Sequence, residues 1–458
     1  MSAFRVDAAS LKLLGDGNWL SIVTLFDLAG SPATQFMNDT TISLTQSRLS
    51  RYIRHVQDRY IRPYLTSYDG AVGDITLRYV FQGEDCPRHF KSVSFESQRD
   101  WDKICMVPDL YYFLARGYED FLPGDATLPA WEGRKAQVIW RGSTTGATSR
   151  TDVHAIGFTA ETLDLLPRYR LCRILRQLDD GADAGIVAIV QCPDGDKGAV
   201  AARLAAQRLA ANFMPTHDMM HYKYLVEIDG NTSSWNFIQR LRLGCCILKV
   251  ESPWVQWFSH RIAPWVHYVP VRADLGDLLE KVEWCRTHDR EAAQIAANGR
   301  AFGLGVTYDT EMRQAALDIM RTSIPLSGDP ADLAAVQALC GAADRLRPAW
   351  DAAIDDWLSF PEPVWLQTCH GTILGTDRHG TLIQLNPDGD LSQAITLHDG
   401  DDRWRQALGG LHVDRDGDTL LLERDGLLLC AEPGRATMVC DRLEQREWET
   451  FTLVPATR

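Results

Sequence analysis

Residues 221–270, HYKYLVEIDGNTSSWNFIQRLRLGCCILKVESPWVQWFSHRIAPWVHYVP, restrict the fold more than any other stretch of the chain. An apolar strand over 224–228, a turn at Asp229-Gly230-Asn231, a helix over about 232–243 and a second apolar strand over 245–250 make a βαβ unit. Both strands are apolar enough to be buried on two faces, which requires a covered parallel sheet. The turn is expected to open straight into a helix N-terminus, where unpaired N–H groups and the macrodipole favour an anion such as a diphosphate. Trp254, Gln256, Trp257, Trp265, His267 and Tyr268 crowd the exit of the second strand. Ligands of open α/β sheets bind outside the carboxyl ends of strands, so the chemistry is expected here.

The rest of the chain supports an α/β reading. The run 48–65 has helical spacing, DITLRYVF and KICMVPDLYYFL read as strands, and AQVIWRGSTTG is a strand entering a small polar loop. ETLDLLPRYRLCRILRQL is helical, GIVAIVQC is a strand, and 275–303 is a helix pair or one bent helix, with a glycine stop at Gly299 or Gly303. Beyond Val364 the pattern changes to short strands between Gly/Asp/Asn turns. HGTILGTDRHGTLIQL and DGLLLCAEPGRATMV resemble each other, with GLHVDRDGDTLLLERDG a weaker third copy. Three hairpin units, closed by REWETFTLV, suit a β-trefoil, and a generic antiparallel sandwich is the plainer alternative.

At 458 residues the chain is too long for one core. The expected division is an N-terminal region with an acceptor-side lobe (1–200), a donor-binding lobe (201–330), a proline-bearing linker (331–363) and a small all-β domain (364–458). A net charge of −14 without a basic run argues against a nucleic-acid partner. The start lacks the pattern of a signal peptide, and no apolar run approaches the roughly 20 residues of a membrane span. Both point to the cytoplasm, with peripheral membrane association left open. The 11 cysteines include no C-x-x-C and several sit in apolar runs, so they read as structural thiols.

WRGSTTGATSR, DGNTSSW, LKVESP and PWVHYVPV stand in order along the chain, and together they resemble glycosyltransferase family 90. That family includes fungal capsule-associated enzymes, animal protein O-glucosyltransferases and bacterial lipopolysaccharide-biosynthesis transferases. The resemblance covers about 100–305. It implies a GT-B pair of Rossmann-like lobes followed here by the all-β domain, and inverting transfer of glucose, xylose or a related sugar from a UDP-sugar. The acceptor would be a hydroxyl on a glycan, a lipopolysaccharide-type saccharide or a protein. It implies no metal or other cofactor. The alternative is a non-catalytic nucleotide-sugar or glycan-binding protein that kept a degenerate transferase fold.

Carried onto this sequence, the donor site falls on Arg141, Gly142, Ser143 and Arg150, then on Gly230, Asn231, Thr232, Ser233, Ser234 and Asn236. Arginine's planar fork suits a diphosphate. Asn236 stands where the animal enzymes carry an arginine, so Arg150 and Lys249 are expected to compensate for the missing charge. Lys249 and Glu251 lie at the end of the second strand, where a carboxylate suits ribose hydroxyls; a surface ion pair is the plainer reading. Asp109 in KICMVPDLYYF resembles the family's base aspartate, with Glu119 and Asp120 as alternatives, and is expected at a cleft rim with a raised pKa. His217 and His221, four apart, share a face if helical, which raises zinc chelation as a third, minor reading.

Overall fold

The computed structural model describes residues 21–25, 34–35, 51–53, 55–68, 77–82, 87, 89–119, 121–122, 127–146, 158–325, 327–355, 360, 362–399, 407–408, 411–416, 419–424, 427–433, 435–442 and 449–456. The chain groups into two compact units, one of 84–90 and 94–311, the other of 1–83, 91–93 and 312–458.

The first of these is built on a five-stranded parallel sheet. Its strands are β1 (Lys135–Ser143), β2 (Ala182–Ala188), β3 (Tyr222–Glu227), β4 (Cys246–Val250) and β5 (Val269–Val271), in spatial order β2-β1-β3-β4-β5. β1 therefore pairs with β2 on one side and with β3 on the other, both parallel. A boundary at residue 200 would cut this sheet in two. The chain divides instead near 312, because β1 and β2 complete the sheet that β3 begins.

Period-two alternation assigns the faces. Val138, Trp140, Tyr224, Val226, Cys246, Leu248, Val269 and Val271 point into the main core. Helices α1 (Pro167–Leu175), α2 (Asp194–Ala206), α4 (Leu278–Thr287) and α5 (Asp289–Gly305) contribute Tyr169, Val200, Val282 and Ile295 to it. Ile139 and Leu225, on the opposite parity, face a smaller cluster on the other side, joined by Tyr222 at the start of β3 and by Cys245 just before β4. The helix between β3 and β4, α3, is only Phe237–Leu241, shorter than its sequence pattern implied. Gly299 and Gly303 lie inside α5 rather than stopping it. A Cβ on Gly299 would come within 2.8 Å of the His267 carbonyl oxygen, and one on Gly303 within 3.1 Å of Leu241 Cβ. These glycines permit close packing, which one-dimensional reading cannot tell from a cap.

In the second unit the expected linker is helical. Helices Pro330–Gly341 and Ala343–Asp355 bury Leu339, Leu346, Trp350 and Ile354. Trp350 Nε1 donates to the Tyr60 carbonyl at 2.8 Å, and its ring meets Tyr64 with centroids 4.8 Å apart. Leu346, Trp350 and Ile354 form an i, i+4, i+8 apolar stripe on one helical face despite the internal Pro348. Among the described residues from Val364 to Pro455, nine strands join in one antiparallel sheet around a separate apolar core. Gln384 N also donates to the Ala436 carbonyl at 2.8 Å and Met438 N to that of Leu382 at 3.0 Å, so the sheet curls back on itself. The hairpins fall where the repeats put them; how hairpins join is a tertiary matter that the repeats do not specify. Buried Arg51 forms an ion pair with Glu423 of this sheet. All the described cysteines are free thiols.

Candidate donor-binding cavity

The connection leaving β1 turns toward β2 while that leaving β3 turns the opposite way, toward β4, so a crevice opens where the two diverge. Two loops border it. The first is the end of β1 and the residues after it, the second the turn after β3. At the end of β1, a Cβ on Gly142 would lie 2.5 Å from the Trp140 ring, so only glycine lets the indole fold beneath the strand end. After β3, a Cβ on Gly230 would lie 2.8 Å from Thr145 Oγ1 and 3.1 Å from Arg168 Nη2. Asn231 Oδ1 accepts from the Gly146 amide at 3.1 Å, which bonds one loop to the other. Residues 229–236 form turns, not the opening of a long helix, so any anion here meets loop amides and hydroxyls.

Arg168, at the start of α1, ties both loops together. Its Nε donates to the Asp229 carbonyl at 2.9 Å, Nη1 to the Ser143 carbonyl at 3.4 Å and to Thr145 Oγ1, and Nη2 to the Ile228 carbonyl at 3.3 Å. Burial, together with the positive charge of Arg240, pushes its pKa down to about 10. The Asp229 carboxyl is raised above the ordinary range by burial, and its Oδ1 accepts from the Ser234 amide at 3.3 Å.

The loops enclose a cavity of about 450 Å³. Arg141, Gly142 and Ser143 line one side; Gly230, Asn231, Thr232, Ser233, Ser234 and Asn236 line the other. Thr232 Oγ1 and Ser233 Oγ are buried without a hydrogen-bond partner, while the Ser233 amide donates to Glu96 Oε2 at 3.0 Å. Arg240 completes the wall, its Nη1 2.6 Å from Oε2 of the fully buried Glu227. Tyr111 and Trp235 stand together in the lining with ring centroids 6.1 Å apart, Tyr111 52% exposed.

Several expected residues are placed differently. The Arg141 guanidinium binds Asp183 Oδ1 at 2.5 Å and the carbonyls of Asp183, Trp140 and Asn212, so its donors hold the strand edge. Lys249 lies over the Phe237 ring at 4.7 Å, and Glu251 is exposed; neither lines the cavity. Arg150 and Asp120 lie outside the described residues. Asp109 is 1% exposed rather than at a rim. It caps the helix Leu110–Leu114, its Oδ1 accepting from the Tyr111 and Tyr112 amides at 2.9 Å, and Gln256 Nε2 donates to Oδ2 at 3.5 Å. Burial raises its pKa to about 7 against those amide bonds. Burial likewise raises the Glu119 carboxyl. His217 and His221 sit in a 3-10 turn, Thr216–His221, where residues four apart do not share a face.

Arg168 and Arg240 were not singled out by sequence. A weak signal existed for Arg168: an arginine directly after Pro167 sits in a helix's first turn, where the macrodipole disfavours a cation. Arg240 stands one turn beyond Asn236, among the apolar residues of a buried helix.

Residues 121–312, which contain the whole five-stranded sheet and all the cavity's lining residues except Tyr111, but not Asp109, match the family model "Glycosyl transferase family 90". Protein O-glucosyltransferase 3 of Mus musculus is 40% identical over 90 residues, 20% of this chain and 18% of that one. Uncharacterized protein 035R of Invertebrate iridescent virus 3 is 28% identical over 228 residues, 46% of this chain and 18% of that protein. The chain thus spans about a fifth of the length of these relatives. Among solved structures, Anabaena Alr3699/HepE in complex with UDP-glucose aligns over 40% of this chain and 48% of its own, at 11% identity and a TM-score of 0.28. Over residues 121–312 the chain is thus similar to glycosyl transferase family 90.

Proposed function

We propose that this chain is a glycosyltransferase that moves glucose, xylose or a related sugar from a UDP-sugar to a hydroxyl acceptor, with inversion and without a metal. The cavity where β1 and β3 diverge carries the reading. It has the size of a small-molecule site, with unpartnered buried hydroxyls on Thr232 and Ser233, a glycine approach at Gly230 and the three guanidinium groups of Arg141, Arg168 and Arg240. Uncompensated buried donors cost free energy, about 1–3 kcal/mol each, that a bound diphosphate would recover. In the transfer step the acceptor oxygen bonds to the anomeric carbon as the bond from that carbon to the diphosphate breaks. UDP leaves with the electron pair, and the acceptor proton passes to Asp109. Tyr111, two residues on from Asp109, lines the cavity, and a pKa near 7 suits a proton acceptor at neutral pH. A second lobe completing a GT-B pair, a trefoil-like arrangement of the C-terminal hairpins and acceptor binding by that domain belong to the same reading.

One observation favours a second reading, a non-catalytic nucleotide-sugar-binding protein: Asp109 is buried and held by two backbone amides. Calorimetric titration of UDP with and without a chelator, followed by UDP-glucose turnover with saccharide acceptors, separates the two. Metal-independent UDP binding with release of UDP in the presence of acceptor is expected. Binding abolished by the chelator contradicts the metal-free reading, and binding without turnover selects the second.

A further inference from the structure

Three arginines line the cavity, and they are bonded in different ways: the Arg141 nitrogens are committed to Asp183 and to the Trp140 and Asn212 carbonyls. Every nitrogen of Arg168 donates to a fixed acceptor of the protein: the carbonyls of Ser143, Ile228 and Asp229, and Thr145 Oγ1. It contributes charge and fixes the loops, with no fork left to offer a ligand. Arg240 has a single contact to Glu227, through Nη1, although the guanidinium–carboxylate geometry permits two. Its Nε and the facing Glu227 Oε1 are both buried without partners. A buried ion pair with an unpartnered buried atom on each member is a poor structural anchor. Arg168 and Arg240 also bring two like charges to one cavity beside the Asp183-paired Arg141, an arrangement that an anion with several oxygens relieves. The unpartnered Thr232 and Ser233 hydroxyls line the same space.

We propose that Arg240, held in place by Glu227, is the residue that hydrogen-bonds the diphosphate of the donor, while Arg168 is a positioning residue that fixes the two loops. The assignment rests on the donor reading of the cavity. Glu227 competes with the diphosphate for the guanidinium, so the two members of the pair act with opposite sign. Removing the arginine weakens diphosphate binding; neutralising the carboxylate strengthens it. A merely structural pair would move both in the same direction.

The test is calorimetry of UDP and uridine on the full chain, comparing wild type, Glu227→Gln and the charge-neutral pair Glu227→Met with Arg240→Met, with folding checked by thermal melting. Uridine lacks the phosphates, so the ratio of the two affinities isolates their contribution. The double variant is expected to lower the preference for UDP at least tenfold while keeping uridine within twofold. Glu227→Gln is expected to raise UDP affinity several-fold with uridine unchanged, and it keeps a hydrogen bond to Arg240 if the double variant does not fold. A double variant that keeps the wild-type preference, or a Glu227→Gln chain with unchanged UDP affinity, overturns the assignment. A wild-type chain that binds neither compound overturns the donor reading itself.

Discussion

The turns after β3 and β4 leave neighbouring strands of one sheet at the same edge, yet only the first borders the cavity. After β3 the chain meets Gly146 and Arg168 of the diverging β1 connection, and polar groups are left without partners. After β4 the chain continues in the same direction toward β5, and none of the described buried side-chain polar atoms of 251–268 lacks a partner. The strand Trp254–Gln256 pairs with Glu96–Gln98, and Glu311 accepts from Trp257 Nε1 at 2.9 Å and from both terminal nitrogens of Arg261 at 2.8 and 2.7 Å. An aromatic-rich loop at a strand's carboxyl end is therefore a scaffold here. Divergence of connections, more than residue type, decides which loop borders the cavity.

The variant with the largest expected effect is Asp109→Asn, since this carboxylate stands between the two regions, with Gln256 of the β4 exit on Oδ2. Asparagine keeps the helix cap but not the basic site, so sugar transfer is expected to fall by about 10²-fold or more with UDP affinity little changed. The pH dependence has a definite sign. With a folded pKa of about 7 against an unfolded value near 3.8, the folded chain holds a proton that the unfolded chain releases between those limits. Stability is expected to decline as pH rises from about 4 through 7, a slope that Asp109→Asn removes in pH-dependent denaturation, whereas transfer rises with pH near 7.

Gly230→Val ranks next. The added side chain meets Thr145 and Arg168, and UDP affinity is expected to drop roughly 100-fold, about 2.7 kcal/mol. At the β4 exit the effect should be on stability alone. Glu311→Gln removes the charge that holds Arg261, and chemical denaturation is expected to show a loss of about 1.5–3 kcal/mol with UDP affinity within twofold. Trp254→Ala is expected to leave UDP affinity unchanged by calorimetry; a tenfold loss would make the second loop part of the site.

The strands were legible because apolar runs such as YLVEI and CCILKV have few other uses, and Gly230 was legible because it joins two of them. What sequence did not show was partnership. Arg141 stands in a phosphate-like motif, but Asp183, brought beside it by β2, takes its guanidinium. Arg168 and Arg240 reach the cavity through contacts with residues 61 and 13 positions away. The residue-200 boundary failed because sheet membership depends on which strands pair.

Backbone hydrogen exchange, read with and without UDP, tests the central contrast most directly. Protection is expected in the amides of 143–146 and 230–234, with 254–268 unchanged. Protection confined to 254–268, or none in either loop at saturating UDP, would contradict the account.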